Sequence, residues 1–162
     1  MSEGHDYVDA VAVGDGVLVR MSDNAAAALG HLIGELTGFL EREEVPAGHR
    51  RRWRTPRPNV VRRKMFPDVH ASRGESDGFR NRFHETLTDT APAHRVLARL
   101  NESMPFLVRF DELGDWHVTM SLVRALQKAR PKPDPMIITW TLGVQEYLLL
   151  ALDPQANNAW PR

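Results

Sequence analysis

The stretch DPMIITWTLGVQEYLLLAL, residues 134–152, decides the fold. Asp134 suits a helix start, where its carboxylate can accept a hydrogen bond from a free amide. Pro135 suits the first helical position, where a missing N–H loses nothing. Ile137, Ile138, Trp140, Leu142, Val144, Tyr147, Leu148, Leu149, Leu150 and Leu152 then place apolar groups on nearly every face, the pattern of a helix at the centre of a protein. The rest of the chain is therefore expected to surround it. Gln145 and Glu146 interrupt the run, which is too short and too polar to span a bilayer, so its covering should be protein and no membrane is implied.

The elements outside this stretch read as its cover. Tyr7–Val13 and Val17–Arg20 flank Gly14-Asp15-Gly16, the spacing of a short β-hairpin. A nucleotide-binding glycine loop would need G-x-G-x-x-G opening a helix, and Val19 occupies the third glycine's place. Ser22 is expected to cap a long helix reaching Glu43, with Leu29, Leu32, Ile33, Leu36, Phe39 and Leu40 on a stripe facing the C-terminal helix. Along one side of that helix Ala26, Gly30, Gly34 and Gly38 recur every four residues. A helical glycine costs roughly 1 kcal/mol relative to alanine, so this ridge suggests close packing within the chain or a self-association face, as in a homodimer. Ser76 or Asp77 should cap a second helix to Thr88, Thr90 a third to about Asn101, and Asp111 a fourth to Arg130, with Phe106–Phe110 as a third strand beside the hairpin. The fold class that follows is mainly α (α+β): a compact five-helix domain over residues 7–152 with a small antiparallel β-sheet and an Arg/Pro-rich loop. Residues 1–6 are expected to be disordered and residues 153–162 to form a fraying tail.

At 162 residues the chain fits one domain able to bury a core without cross-links. It has no cysteine, which excludes disulfides, thiolate metal sites and thiol nucleophiles. MSEGHDYVDA carries acidic residues and lacks the apolar core of a signal peptide, so a cytoplasmic location is expected.

The net charge of zero hides a segregation. Val45–Pro67 holds eight Lys/Arg and no Asp/Glu, leaving thirteen basic against twenty-one acidic residues elsewhere. Such a layout steers an anionic partner to one face. Arg50, Arg51, Arg52, Arg54, Arg57, Arg62, Arg63 and Lys64 surround Trp53, with Pro46, Gly48, Pro56 and Pro58 preventing any long regular element across residues 45–64. Guanidinium groups pair bidentately with phosphate or carboxylate and an indole can stack or insert, so this arm is the candidate contact for nucleic acid or a protein partner. The competing reading is an arm folded back on the acidic body.

Motifs for catalysis are missing. His84-Glu85 starts a zincin-like signature, but Thr88 stands where the second histidine must lie, and there is no P-loop or G-x-S-x-G elbow. Glu43-Glu44 and Asp111-Glu112 flank helix ends, where capping explains them. The expectation is a non-enzymatic protein with no metal, no cofactor and no small-molecule substrate.

Three segments together resemble a known group. These are Lys64–Leu87 with Phe66-Pro67-Asp68 and Phe79-Arg80, the strand and helix of Val108–Leu126, and Trp140–Leu152 with Trp140, Gln145-Glu146 and Leu149. In order and spacing they resemble the actinobacterial AosR-like family of small helical proteins, often encoded beside the ClpS adaptor, over about residues 8–152. The resemblance implies a transcription regulator in the stress response, acting through promoter DNA or through RNA polymerase and a sigma factor, with no catalytic residue carried over. AosR-like redox control uses a cysteine pair that this chain lacks, and Val69-His70 replaces the aromatic expected after proline-aspartate. The ClpS neighbourhood gives the alternative, a protein-interaction adaptor linked to Clp proteolysis.

Overall fold

The computed structural model describes residues 7–66 and 89–151. The expected helix from Ser76 to Thr88, the Pro67-Asp68 step and both terminal segments lie outside the described residues.

Two strands open the fold. β1 (Val8–Val13) and β2 (Gly16–Met21) pair antiparallel with Val13 opposite Gly16, so Gly14 and Asp15 form a two-residue turn. Gly14 takes φ +55°, the left-handed conformation for which glycine carries no steric penalty. After the hairpin, Ser22 caps α1 (Asp23–Arg42), its hydroxyl accepting from the Ala25 amide at 3.1 Å. The helix stops at Glu43, whose φ of 56° turns the backbone out of register. α2 (Pro58–Met65), which closes the basic segment, and α3 (Ala91–Leu100) precede β3 (Phe106–Arg109), which pairs antiparallel with β2 to give the sheet order β1-β2-β3. α4 (Leu113–Lys128) and α5 (Pro135–Leu150) complete an α+β fold of five helices and three strands among the described residues.

At two of the expected caps a neighbouring side chain makes the bond, Thr90 keeping the N-cap position of α3 without capping through its hydroxyl. Asp89 rather than Thr90 accepts from the amide of Ala91, at 3.0 Å. Glu112 rather than Asp111 folds back at the start of α4, receiving the Arg109 amide at 3.2 Å across a short 3-10 turn, and it also binds the Arg99 guanidinium. That guanidinium holds the Glu112 carboxyl below the usual carboxylate range.

The central helix is α4, which corrects the expectation placed on residues 134–152. α4 packs against α1, α2, α3 and α5, and Trp116, Thr119, Met120, Val123 and Leu126 are all buried. The Trp116 ring stacks on Phe106 of β3, centroids 5.9 Å apart, tying helix to sheet. α5 instead lies outside, against α4 and β1, burying Thr141, Val144, Gln145 and Leu148. Met136 is 81% exposed, and Leu142, Tyr147 and Leu149 also face out. An all-round apolar pattern shows only that a helix is greasy; which helix is surrounded depends on how many neighbours the topology gives it. For the same reason the α1 stripe, with Leu29, Ile33, Leu36 and Phe39 fully buried, packs chiefly on α3 and α4 and not on α5.

Candidate nucleic-acid interface

The basic segment is built from three local decisions. Ala47–His49 forms a single 3-10 turn that buries His49, 1% exposed, and so pins the start of the arm to the body. Arg51 and Arg54 then exchange both backbone hydrogen bonds, at 2.9 and 2.8 Å, closing a tight turn with Arg52 and Trp53 at its tip. Arg52 has φ 52° while Trp53 does not share the positive φ, the arrangement of a II′-like turn that favours glycine at its first central position. The third decision is at Pro58. Read from the sequence as a breaker, it is the first residue of α2, where proline's fixed φ helps and its missing N–H costs nothing. Val61 and Met65 bury the inner side of that helix.

These pins split the expected site residues. Arg50, Arg51, Arg52, Arg54, Arg57, Arg63 and Lys64 are exposed and form no ion pair among the described residues, and Trp53 is 97% exposed. Arg62 does not belong with them. Its guanidinium donates to Glu43 at 2.9 Å and to Asn59 at 3.2 Å and lies 5.6 Å over the Phe39 ring, which places it inside the fold. Three residues before the buried Met65 and three after Asn59, it faces α1 while Arg63 and Lys64 face out.

Two concavities meet at the turn. One, of about 640 Å³, lies between Gly48, Arg50, Arg51 and Arg52 on one wall and Arg130, Pro131 and Lys132 on the other. The other, of about 900 Å³, is lined by Arg51–Arg57, Trp53 included. Arg130, the end of the fourth helix in the sequence reading, and Lys132 lie outside the expected site residues. Their sequence distance from residue 50 hid that the loop after α4 runs beside the arm. Arg130 is held there by the Gly48 carbonyl, to which Nε donates at 3.3 Å, and by Gln127, to which Nη1 donates at 3.2 Å.

His49 sits behind this surface with neither ring nitrogen hydrogen-bonded. Burial, then the positive charges of Arg130 and Lys64, push its pKa down to about 4, so the ring is neutral at pH 7. A neutral ring under the groove adds no charge to it.

The small-residue ridge divides as well. Ala26 packs partly into the core and Gly38 is buried beneath Arg42 and Glu44, while a Cβ on Gly30 or Gly34 would meet nothing within 4 Å. Gly34 and Gly38 instead floor a groove of about 670 Å³ walled by Val45–Gly48, Gln127, Arg130 and Ile137. Among the described residues no group of His, Cys, Asp and Glu is arranged to hold a metal ion, and no helix is long and apolar enough to cross a membrane.

Comparison with known proteins gives no match among curated proteins and none among solved structures. A family model does match, from β1 through α5 and across the whole basic segment. Over residues 8–152, the chain belongs to the family described as Domain of unknown function (DUF2017).

Proposed function

We propose that this protein is a non-enzymatic, cytoplasmic transcription regulator of the actinobacterial AosR-like type, acting in the stress response through promoter DNA, through RNA polymerase and a sigma factor, or through both. The observation that carries the reading is the pairing of Arg50, Arg51 and Arg52 with Arg130 and Lys132 across one groove. Five cations lining one concavity repel each other unless an anion lies between them, and phosphate is the anion that guanidinium groups hold bidentately. The acidic remainder of the chain directs a polyanion to this face. Without cysteine, any response to stress reaches the protein by a route other than thiol oxidation.

Purified protein titrated with promoter DNA at several salt concentrations tests the proposal. Log affinity falls by roughly 0.9 per phosphate neutralised on a duplex and 0.7 on a single strand as log salt rises. Replacing Arg50, Arg51, Arg52 and Arg54 by alanine should flatten that slope by about two units or more. A slope unchanged by the four substitutions removes the arm from the contact.

A second reading, an adaptor linked to Clp proteolysis, is favoured by the apolar side chains that α5 turns outward, Met136, Leu142, Tyr147 and Leu149. Recovery of Clp subunits in a nuclease-treated purification, with polymerase and sigma factor absent, would select it.

A further inference from the structure

We infer that the arm takes unpaired nucleotides, the Trp53 indole stacking on a base while Arg51, Arg52, Arg130 and Lys132 hold the neighbouring phosphates. This rests on the nucleic-acid reading above and specifies the form of the ligand. A single exposed hydrophobic residue is ordinary on a protein surface. Trp53 differs in how it is presented. It stands 97% exposed at the tip of a turn closed by two backbone hydrogen bonds, with an arginine on either side. Arg52 holds φ 52° to make that turn, a conformation unfavourable for a residue with a Cβ.

Arg51 and Arg52 line both concavities, so the cationic groove toward Arg130 and Lys132 shares a wall with the concavity that Trp53 lines. A cationic track that ends on an aromatic face is the combination that binds single strands, because the backbone follows the charge and any base can stack. In a duplex the base faces are covered by their neighbours. There the indole would reach one only by prising a step apart. Nor does the arm carry a helix suited to reading a major groove: α2 has eight residues and turns Arg62 inward. Unpaired nucleotides satisfy both the charge and the ring without deforming the ligand.

The test uses the full chain and three labelled probes at matched salt: oligothymidylate, oligouridylate and a duplex, each of about fifteen nucleotides per strand. Expected are tighter binding to the single strands than to the duplex, and a loss of roughly 5- to 150-fold on oligothymidylate for Trp53→Ala. The salt slope should stay unchanged in that variant, and Trp53→Phe should retain most of the affinity. Arg51→Ala with Arg52→Ala should reduce the slope instead. The two single-stranded probes distinguish deoxyribose from ribose backbones, and tight binding of either supports the inference. Preference for the duplex, or a Trp53→Ala variant equal to the parent, overturns the inference and leaves the nucleic-acid reading standing. Failure to bind any of the three at low salt, or displacement of oligothymidylate by an acidic peptide of equal charge, overturns both.

Discussion

The guanidinium of Arg130 lies directly on the backbone of Gly48, its Nε donating to the Gly48 carbonyl at 3.3 Å. A Cβ on Gly48 would fall 2.6 Å from that guanidinium's atoms, so only glycine lets the two approach. The groove between the arm and the end of α4 depends on this contact, which sets where one of its five cations points.

Gly48→Ala should therefore act on the groove and spare the fold. The clashing atoms are the far end of a flexible side chain, which can swing away, so the expected stability change is under about 1 kcal/mol. Binding of nucleic acid should weaken as if Arg130 itself had been truncated. Urea unfolding and a salt titration on the same variant check the two halves; a large stability loss would mean that Arg130 cannot move.

His49 makes a pH prediction. Its folded-state pKa of about 4 lies below the ordinary value of 6.5, so between these limits the unfolded chain binds the extra proton and the folded one does not. Stability is then fully present above pH 6.5 and lost as the pH falls toward 4, by roughly 3 kcal/mol for a shift of this size. Arg130 and Lys64 repel the incoming charge and burial disfavours it. His49→Leu should remove most of this slope and also remove two unpartnered buried nitrogens. Urea midpoints at pH 5 and 7 measure it; the same pH difference in parent and variant would place the titration elsewhere.

Much of this architecture was legible in residues and much was not, for physical reasons. The hairpin, Ser22, Asp134 and the third strand are local features: glycine at a positive φ, a hydroxyl or carboxylate at a free amide, alternation over four residues. The choice of central helix is not local. α5 has the more continuous apolar run, yet α4 is surrounded, because α1, α2, α3 and α5 all return to it. The arm shows the same division. Its charge was plain in the sequence, whereas the withdrawal of Arg62 onto Glu43 and Phe39 and the arrival of Arg130 and Lys132 depend on contacts distant along the chain.

Gln145 is a second consequence of α5 lying at the edge. Its side chain, 4% exposed, donates to His117 and to Ser121 Oγ at 3.3 Å and accepts from Arg124, joining α5 to α4 through polar groups at the seam. Gln145→Leu keeps the volume but strands those partners, which should cost about 1–3 kcal/mol. Gln145→Glu should cost less, since a carboxylate still accepts from Arg124. If leucine proves neutral in thermal unfolding, water replaces the lost bonds and the network is incidental.

Three glycines with different surroundings make the last prediction, because one substitution should give opposite signs. At Gly16 a Cβ would lie 2.6 Å from the Val108 carbonyl oxygen and 2.9 Å from Leu107 Cδ1, so β2 and β3 would have to part. Backbone cannot swing aside as a guanidinium does, and Gly16→Ala should destabilise by about 1–3 kcal/mol. Gly30 and Gly34 lie mid-helix with open space above them, where alanine removes backbone entropy from the unfolded chain and should stabilise by roughly 0.5–1 kcal/mol each. That gain is expected of the isolated chain. If the ridge of Ala26, Gly30, Gly34 and Gly38 instead seats a second copy, the same methyl groups would intrude on the partner helix. The Gly30→Ala and Gly34→Ala variants would then be more stable as monomers yet dissociate at higher concentration. Thermal unfolding at high and low protein concentration, with sedimentation alongside, separates the two cases. An alanine series that stabilises equally at every concentration would take the ridge out of self-association.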